Sequence, residues 1–179
     1  IIITMDATAI GRMSCNPAIG GLAKGHLVAE IDALGGIMGI ASDHAGIQFK
    51  MLNKSKGRAV WSPRCQIDKK MYPLFVQKII ADNPNIKIIE DEVVDFHVDN
   101  YSISSVVLKK TGSINVGALI VATGTFLNGL VHVGNKSFPA GRLGEKPSLG
   151  LAHNIVNKGF KTARLKTGTP PRLLSSSIN

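Results

Sequence analysis

The stretch from Met13 to Gly25 constrains the fold of this chain most, because thirteen residues combine a proline, three glycines and a cysteine. Apolar residues recur at helical spacing after Asn16-Pro17, which predicts a helix from Pro17 to Leu34 that ends at Gly35-Gly36. Cys15 would then stand at the helix entrance, where unpaired N–H groups and the helix dipole favour a thiolate. The alternative is a small buried apolar side chain, which is the usual role of a free cysteine.

The rest of the chain alternates short β-branched runs with helical patterns, which is typical of an α/β fold. The runs between residues 92 and 116 are broken at Asp99-Asn100 and at Thr111-Gly112, so they predict a small antiparallel meander. Residues 126–150 are rich in glycine and predict loops. The predicted strands are 1–4, 47–52, 86–90, 92–98, 102–109, 116–122 and 160–165, and the predicted helices are 17–34, 66–82 and 149–157.

Composition excludes several classes of protein. The chain is 44% apolar and 18% charged, as a globular domain is, and its formal charge of +9 suits a polyanionic partner. No apolar run approaches the roughly 20 residues that cross a bilayer. Cys15 and Cys65 show neither metal-ligand nor disulfide spacing, so we expect no metal site and a protein located in a reducing compartment. We expect Cys65 to have a structural role.

A basic turn follows the strand predicted at 47–52. Lys54 and Lys56 lie at the start of a short segment that continues through Gly57 to Trp61. Lysines beside an exposed aromatic ring suit contacts with nucleic-acid phosphates and stacking on a base. A charged loop that is simply solvated explains the composition equally well.

Four blocks of sequence resemble the GidA/MnmG family of flavoproteins, which modify the wobble uridine of tRNA. They occur in the family's order and extend over nearly the whole chain. The blocks are Ser14-Cys-Asn-Pro-Ala-Ile-Gly-Gly21 with Ala23-Lys-Gly25, Leu52-Asn-Lys-Ser-Lys-Gly57, Ala122-Thr-Gly-Thr-Phe-Leu127 and Arg164-Leu-Lys-Thr-Gly-Thr-Pro-Pro-Arg172.

The resemblance implies a Rossmann-like FAD-binding fold of the two-dinucleotide-binding-domain type. Residues 1–172 would form an incomplete FAD-binding domain with the meander of about 92–116 inserted, and 173–179 would begin the link to a second, nicotinamide-binding domain. The family's Gly-rich phosphate loop would precede residue 1, so we expect the chain to be a fragment that lacks it.

The activity implied by the resemblance is the formation of a carboxymethylaminomethyl or aminomethyl group at C5 of the wobble uridine. It implies FAD, NADH and methylene-tetrahydrofolate as the one-carbon donor. It also implies an MnmE-type GTPase partner, a homodimer and a cytoplasmic location. Two alternatives stay open: a folate- and FAD-dependent tRNA uridine C5-methyltransferase, and a non-catalytic basic module that binds RNA.

The resemblance also assigns roles to single residues. Cys15 would be a thiolate that adds to a uridine ring carbon or acts as a general acid or base. Val93 would lie against the adenine of FAD, the Thr123–Thr125 turn would approach the cofactor at the carboxyl end of a strand, and Ser148 would cap a helix and contact the flavin. The candidate cofactor residues are Val93, Thr123, Gly124, Thr125 and Ser148, and the candidate RNA-binding residues are Lys54, Lys56, Arg142, Arg164, Lys166 and Arg172.

Overall fold

The computed structural model describes residues 1–14, 16–168 and 173–178. The chain divides into two compact units. The meander unit comprises residues 1–7 and 88–165, and the three-helix unit comprises residues 8–87 and 166–179. Within the described residues, every helix is too short or too polar to serve as a bilayer crossing.

The meander unit contains three small sheets and one helix. Strands β1 and β5 pair in parallel, β6, β7 and β8 form the antiparallel meander in that order, and β9 and β10 form a hairpin. The core of this unit is built from Phe96, Val106, Leu108 and Leu151. The elements are β1 (Ile2–Thr4), β5 (Ile88–Glu90), β6 (Val93–Asp99), β7 (Ser102–Leu108), β8 (Gly112–Asn115), β9 (Leu130–Val133), β10 (Lys136–Pro139) and α4 (Gly150–Asn157).

Two local devices fix the register of the meander. Asn100 and Tyr101 both have positive φ, 49° and 63°, as a two-residue hairpin turn between twisted strands requires. Asp91 is only 2% exposed and accepts hydrogen bonds from the N–H groups of Glu92, Lys110 and Thr111 and from the Thr111 hydroxyl. Burial acts to raise the pKa of Asp91, but these hydrogen bonds outweigh burial and lower it to about 2. Asp91 therefore ties the start of β6 to the β7–β8 turn.

In the three-helix unit, helices α1 and α2 pack on one antiparallel sheet of order β2-β4-β3, and α3 packs on α2. Its buried core joins the second helix, the central strand and the third helix, through Ala41, Ala45, Cys65, Ile67, Tyr72 and Val76. The elements are β2 (Ala18–Gly20), α1 (Gly25–Ala33), α2 (Ile37–Ala45), β3 (Gly46–Leu52), β4 (Ser62–Ile67) and α3 (Met71–Ala81).

The helix predicted from Pro17 begins instead at Gly25, and Ala18–Gly20 form a strand. Gly20 and Gly21 have φ of 80° and 90°, which no helix residue adopts. The predicted end is confirmed: Gly35 has φ 82°, and the Gly36 N–H donates to the carbonyl oxygen of Ile31 at 2.8 Å, closing a Schellman motif. The predicted start of the helix is therefore wrong, and Cys15, which was predicted at its entrance, lies outside the described residues.

Two predicted strands, 116–122 and 160–165, have no ladder partner among the described residues. The third strand of the meander is Gly112–Asn115 instead, and Ile120 is 89% exposed. The helix predicted over 66–82 begins at Met71, because Gln66 and Ile67 belong to β4. The hairpin of β9 and β10 lies where loops were predicted. An apolar run becomes a strand only where a neighbouring strand supplies hydrogen bonds, which local sequence does not reveal.

Candidate cofactor corner

Helix α4 brings two of the candidate cofactor residues to one place in the meander unit. Its first residue, Gly150, packs so closely on Val94 of β6 that an added Cβ would lie 3.2 Å from the Cβ of Val94. Asn154 donates from Nδ2 to the carbonyl oxygen of Val94 at 2.8 Å. Val93 is therefore adjacent in sequence to Val94, and Ser148 is two residues before Gly150, so both lie near the contact between Gly150 and Val94.

The Thr123–Thr125 turn joins the same place through backbone hydrogen bonds. Residues Gly124–Phe126 form one turn of 3-10 helix. The Ser148 N–H donates to the carbonyl oxygen of Phe126 at 2.9 Å, and the carbonyl oxygen of Ser148 accepts from the Asn128 N–H at 2.8 Å. We call the set Val93, Thr123, Gly124, Thr125 and Ser148 the α4 corner.

Ser148 is the best placed of these residues to bind a ligand. The residue is only 5% exposed, and no buried side-chain oxygen among the described residues lacks a hydrogen-bond partner. The Ser148 hydroxyl has no such partner there, so its oxygen belongs to the part of the residue that solvent reaches. The predicted capping role is wrong, since the N-cap position of α4 is Leu149 and no side chain caps it. The helix N-terminus and the Ser148 hydroxyl are thus both left available to a polar group.

Gly124 provides a second feature that fits a bound cofactor. Its φ is +55°, and an added Cβ would meet nothing within 4 Å, so the backbone here is open to close approach. The neighbouring Thr125 is fixed, because its hydroxyl donates to the carbonyl oxygen of Gly141 at 2.9 Å. An open glycine next to a fixed threonine, two residues before the carbonyl oxygen that the Ser148 N–H binds, fits the edge of a planar cofactor.

Two of the candidate RNA-binding residues lie against this corner. The Arg142 guanidinium stands 5.5 Å from the ring centre of Phe126, and its Nη1 is 3.8 Å from Oε1 of Glu145. Arg164 donates from Nη1 to the carbonyl oxygen of Asn128 at 2.9 Å. The structure therefore brings these two positive charges beside the Phe126–Asn128 segment.

Three other candidate RNA-binding residues, Lys54, Lys56 and Lys166, belong to the three-helix unit. Lys54 and Lys56 lie on an exposed 3-10 turn, held by a hydrogen bond of 3.3 Å from Nε1 of Trp61 to the carbonyl oxygen of Lys54. Lys166 is exposed. Cys15 and Arg172 lie outside the described residues, so their roles stay predictions.

The glycines of the Met13–Gly25 stretch make close contacts with β4. An added Cβ on Gly20 would overlap the carbonyl oxygen of Pro63, and one on Gly25 would lie 2.8 Å from Oγ of Ser62. Cys65, on the same strand, is buried. Burial raises the pKa of its thiol and the charge of Asp43 raises it further, so Cys65 is a packing residue. Across the described residues, no group of three His, Cys, Asp or Glu side chains is placed to hold a metal ion.

Known proteins resemble this chain along its whole length. The profile of a family described as glucose inhibited division protein A, GidA, matches residues 1–179. The tRNA uridine 5-carboxymethylaminomethyl modification enzyme MnmG of Chlorobaculum tepidum is 50% identical over 180 residues, covering 100% of this chain and 29% of that protein. The enzyme of the same name from Desulfotalea psychrophila is 52% identical over 179 residues, covering 100% of this chain and 28% of that protein.

A solved structure of Aquifex aeolicus GidA matches the fold with a TM-score of 0.87 at 50% sequence identity, over 94% of this chain and 28% of that one. The predicted α/β fold with a small antiparallel meander is confirmed. The chain spans about 29% of the length of the curated relatives that it matches. Since the family profile covers all 179 residues and the identities reach 50%, the chain belongs to the GidA family.

Proposed function

We propose that this chain supplies the flavin-binding corner of an enzyme that modifies C5 of the wobble uridine in tRNA. The product would carry a carboxymethylaminomethyl group, the modification after which its MnmG relatives are named, or the aminomethyl group that the family resemblance also implies. The observation that carries the proposal is the Ser148 hydroxyl, which has no hydrogen-bond partner among the described residues and reaches solvent, on a residue whose N–H binds the carbonyl oxygen of Phe126, two residues after the open backbone of Gly124.

FAD would be held by the α4 corner and, when bound, would supply the redox chemistry, with NADH as the source of electrons. The hydroxyl of Ser148 would donate to a carbonyl or phosphate oxygen of FAD. The N-terminus of α4 favours the negative charge of such an oxygen. Gly124 lets the backbone approach a planar ring without a side chain between them. Val93, at the start of β6, would lie against the adenine, as the family resemblance implies.

The tRNA would be bound by positive charge, since a formal charge of +9 favours a polyanion. Arg142 and Arg164 would contact phosphates near the α4 corner. Lys54 and Lys56 would contact phosphates from their exposed turn, and Lys166 and Arg172 would do so from the Arg164–Arg172 block. Phosphate contacts of this kind position an RNA without selecting its sequence.

Cys15 would be the reactive side chain of the enzyme. Its thiolate would add to a uridine ring carbon or move a proton as a general acid or base. Methylene-tetrahydrofolate would provide the one-carbon unit, an MnmE-type GTPase would act as partner, and the protein would be a cytoplasmic homodimer. These assignments rest on the family resemblance.

The decisive experiment is nucleoside analysis. The complete gene product is incubated with tRNA, NADH, the GTPase partner and methylene-tetrahydrofolate, and the tRNA is digested to nucleosides. A C5 aminomethyl-type uridine is expected, and Cys15→Ser should abolish it while FAD and tRNA still bind. A simple 5-methyl product would point to the methyltransferase instead, and unmodified tRNA with a colourless protein would point to a binding module.

A further inference from the structure

Positive charge is distributed unevenly between the two units. The three-helix unit carries 13 basic and 5 acidic residues, which leaves 8 basic and 7 acidic of the chain's 21 and 12 for the meander unit. Residues 44–67 include five lysines and arginines and no acidic residue. Three of these cations, Lys54, Lys56 and Arg58, lie on the connection between β3 and β4, residues 53–61, which we call the β3–β4 loop. A polyanion is therefore attracted to this loop.

The cations of the β3–β4 loop are not neutralised by neighbouring carboxylates. In the meander unit, by contrast, Nζ of Lys109 lies 3.0 Å from Oε2 of Glu92, and Nζ of Lys158 lies 3.2 Å from Oδ1 of Asp95. Within the part of the chain that the structure describes, none of the three loop cations has such a partner, and all three residues are exposed. Their charge is available to an anion from outside.

The β3–β4 loop is held in shape by its own contacts. Its ends are joined by the last pair of the β3–β4 ladder. The indole N–H of Trp61 donates to the carbonyl oxygen of Lys54 at 3.3 Å, and the backbone N–H of Trp61 donates to that of Arg58 at 3.1 Å. Gly57, between two 3-10 turns, has φ 97° and ψ 159°, a conformation that is essentially restricted to glycine. A loop fixed in this way loses little conformational entropy when it binds.

Trp61 supports the side chain of Arg58. The guanidinium carbon of Arg58 stands over the Trp61 ring, 5.8 Å from its centre. Trp61 is only half-exposed and its indole N–H is already used inside the loop, whereas Arg58 is exposed. The planar group that this pair presents to solvent is therefore the guanidinium. Guanidinium planes stack on unpaired bases as aromatic rings do.

We propose that Arg58 stacks on an unpaired nucleobase of the RNA substrate, that Trp61 positions Arg58, and that Lys54 and Lys56 bind the adjacent phosphates. The inference rests on the proposed function, in which the substrate is a tRNA, and adds a base contact to it. A single strand fits this loop better than a duplex, because the bases of a duplex are stacked on one another. A lysine is a point charge that suits a phosphate, whereas the planar guanidinium also stacks.

The experiment measures binding of the complete gene product to three fluorescently labelled RNAs over a range of salt concentrations. The probes are a tRNA, a single-stranded oligouridylate and an RNA duplex of the same length. Arg58→Lys keeps the charge and removes the plane. Its Kd for the tRNA and the oligouridylate should rise at least about fivefold, the lower end of what the loss of one stacked base costs. The salt slope should stay unchanged because the charge remains, and the Kd for the duplex should stay within about twofold.

A second variant tests the support of Arg58 by the indole ring. Trp61→Leu should raise the Kd for the oligouridylate by a similar factor. The double variant should bind no more weakly than the poorer single variant, because both changes remove one contact. Exposed Lys69, between β4 and α3, gives the matched control, and Lys69→Arg should leave every Kd unchanged. Thermal unfolding is measured for each variant, and Arg58→Lys, at an exposed position, keeps the test open if Trp61→Leu fails to fold.

The results that would overturn the inference differ from those that would overturn the proposed function. An Arg58→Lys protein that binds the oligouridylate as the unchanged protein does, while tRNA still binds, refutes the base contact alone. An equal loss of affinity for single strand and duplex would make Arg58 a backbone contact. Weaker binding of the GTPase partner with unchanged RNA affinity would assign the β3–β4 loop to a protein instead. Failure of the unchanged protein to bind tRNA would refute the proposed function, and the base contact with it.

Discussion

Gly129→Ala tests whether the α4 corner is as tightly built as the structure shows. Gly129 is buried between two backbone carbonyl groups. An added Cβ would overlap the carbonyl oxygen of Ala140 and lie 2.6 Å from that of Thr125, where ordinary contacts begin at 3.4 Å. The Thr125 carbonyl would have to move by about 0.8 Å. Because both obstacles are backbone atoms, no side-chain rotation relieves the overlap.

Overpacking of this kind costs about 1–3 kcal/mol of the free energy of unfolding. A loss of about 2 kcal/mol lowers Tm by roughly 4–8 °C for a domain of about 150–250 residues that unfolds by itself, and by less where the complete gene product unfolds as one larger unit. The assay is thermal unfolding of the complete gene product, followed together with release of bound FAD. We expect both transitions to fall, since the displaced carbonyl belongs to the α4 corner.

Gly117→Ala is the matched control, because an added Cβ there would meet nothing within 4 Å and the residue has no positive φ. It should change the free energy of unfolding by no more than about 1 kcal/mol, in the stabilising direction. A Gly129→Ala protein with the Tm and FAD retention of the Gly117→Ala protein would refute the packing described for this corner.

Two further predictions concern charge. Asp91→Asn should destabilise the protein at pH 7, because an amide N–H₂ would face the N–H groups of Lys110 and Thr111. Asp99→Asn is the control and should leave the stability unchanged, because Asp99 is exposed. The pKa of Asp91 is lowered from 3.8 to about 2, so its stabilisation is complete above about pH 4 and is lost as pH falls toward 2. Urea unfolding across this range should show the Asp91→Asn deficit shrink, and a constant deficit would contradict the assignment. Lys56→Ala should weaken tRNA binding and reduce the salt slope of log Kd by about one phosphate contact. An unchanged slope would place Lys56 outside the RNA footprint.

Local sequence predicted the elements whose causes are local. The short β-branched runs of the meander, the break at Asp99-Asn100 and the helix end at Gly35-Gly36 each depend on a few neighbouring residues. All three are present. The apolar periodicity after Leu149 likewise predicted α4, which begins within one residue of the expected position.

Elements whose causes are distant in sequence were missed. Residues Ala18–Gly20 became a strand because β4, more than forty residues later, supplies the ladder. Asp91 is fixed by Lys110 and Thr111, which are 19 and 20 residues away. No pattern within a helix or strand contains such information, since the contacts form only in the folded chain.

The residues of the α4 corner were suggested by resemblance, and their convergence came from packing. Nothing in the sequence shows that Gly150 would approach Val94, or that Ser148 would pair with Phe126 and Asn128. The capping role predicted for Ser148 was wrong because α4 starts one residue later than a Ser148 cap requires. Arg64 looked like one more basic residue, and its hydrogen bond to Asn16 emerged only from the pairing of β2 with β4.

The most direct test of this account is the affinity of the complete gene product for FAD when Ser148 is changed to alanine. Apoprotein is titrated with FAD and followed by quenching of flavin fluorescence, with Ser137→Ala on the exposed strand β10 as control. Loss of one hydrogen bond predicts a Kd about tenfold higher for Ser148→Ala, since about 1.4 kcal/mol corresponds to tenfold. Equal Kd values for Ser148→Ala, Ser137→Ala and the unchanged protein would contradict a flavin site at the α4 corner.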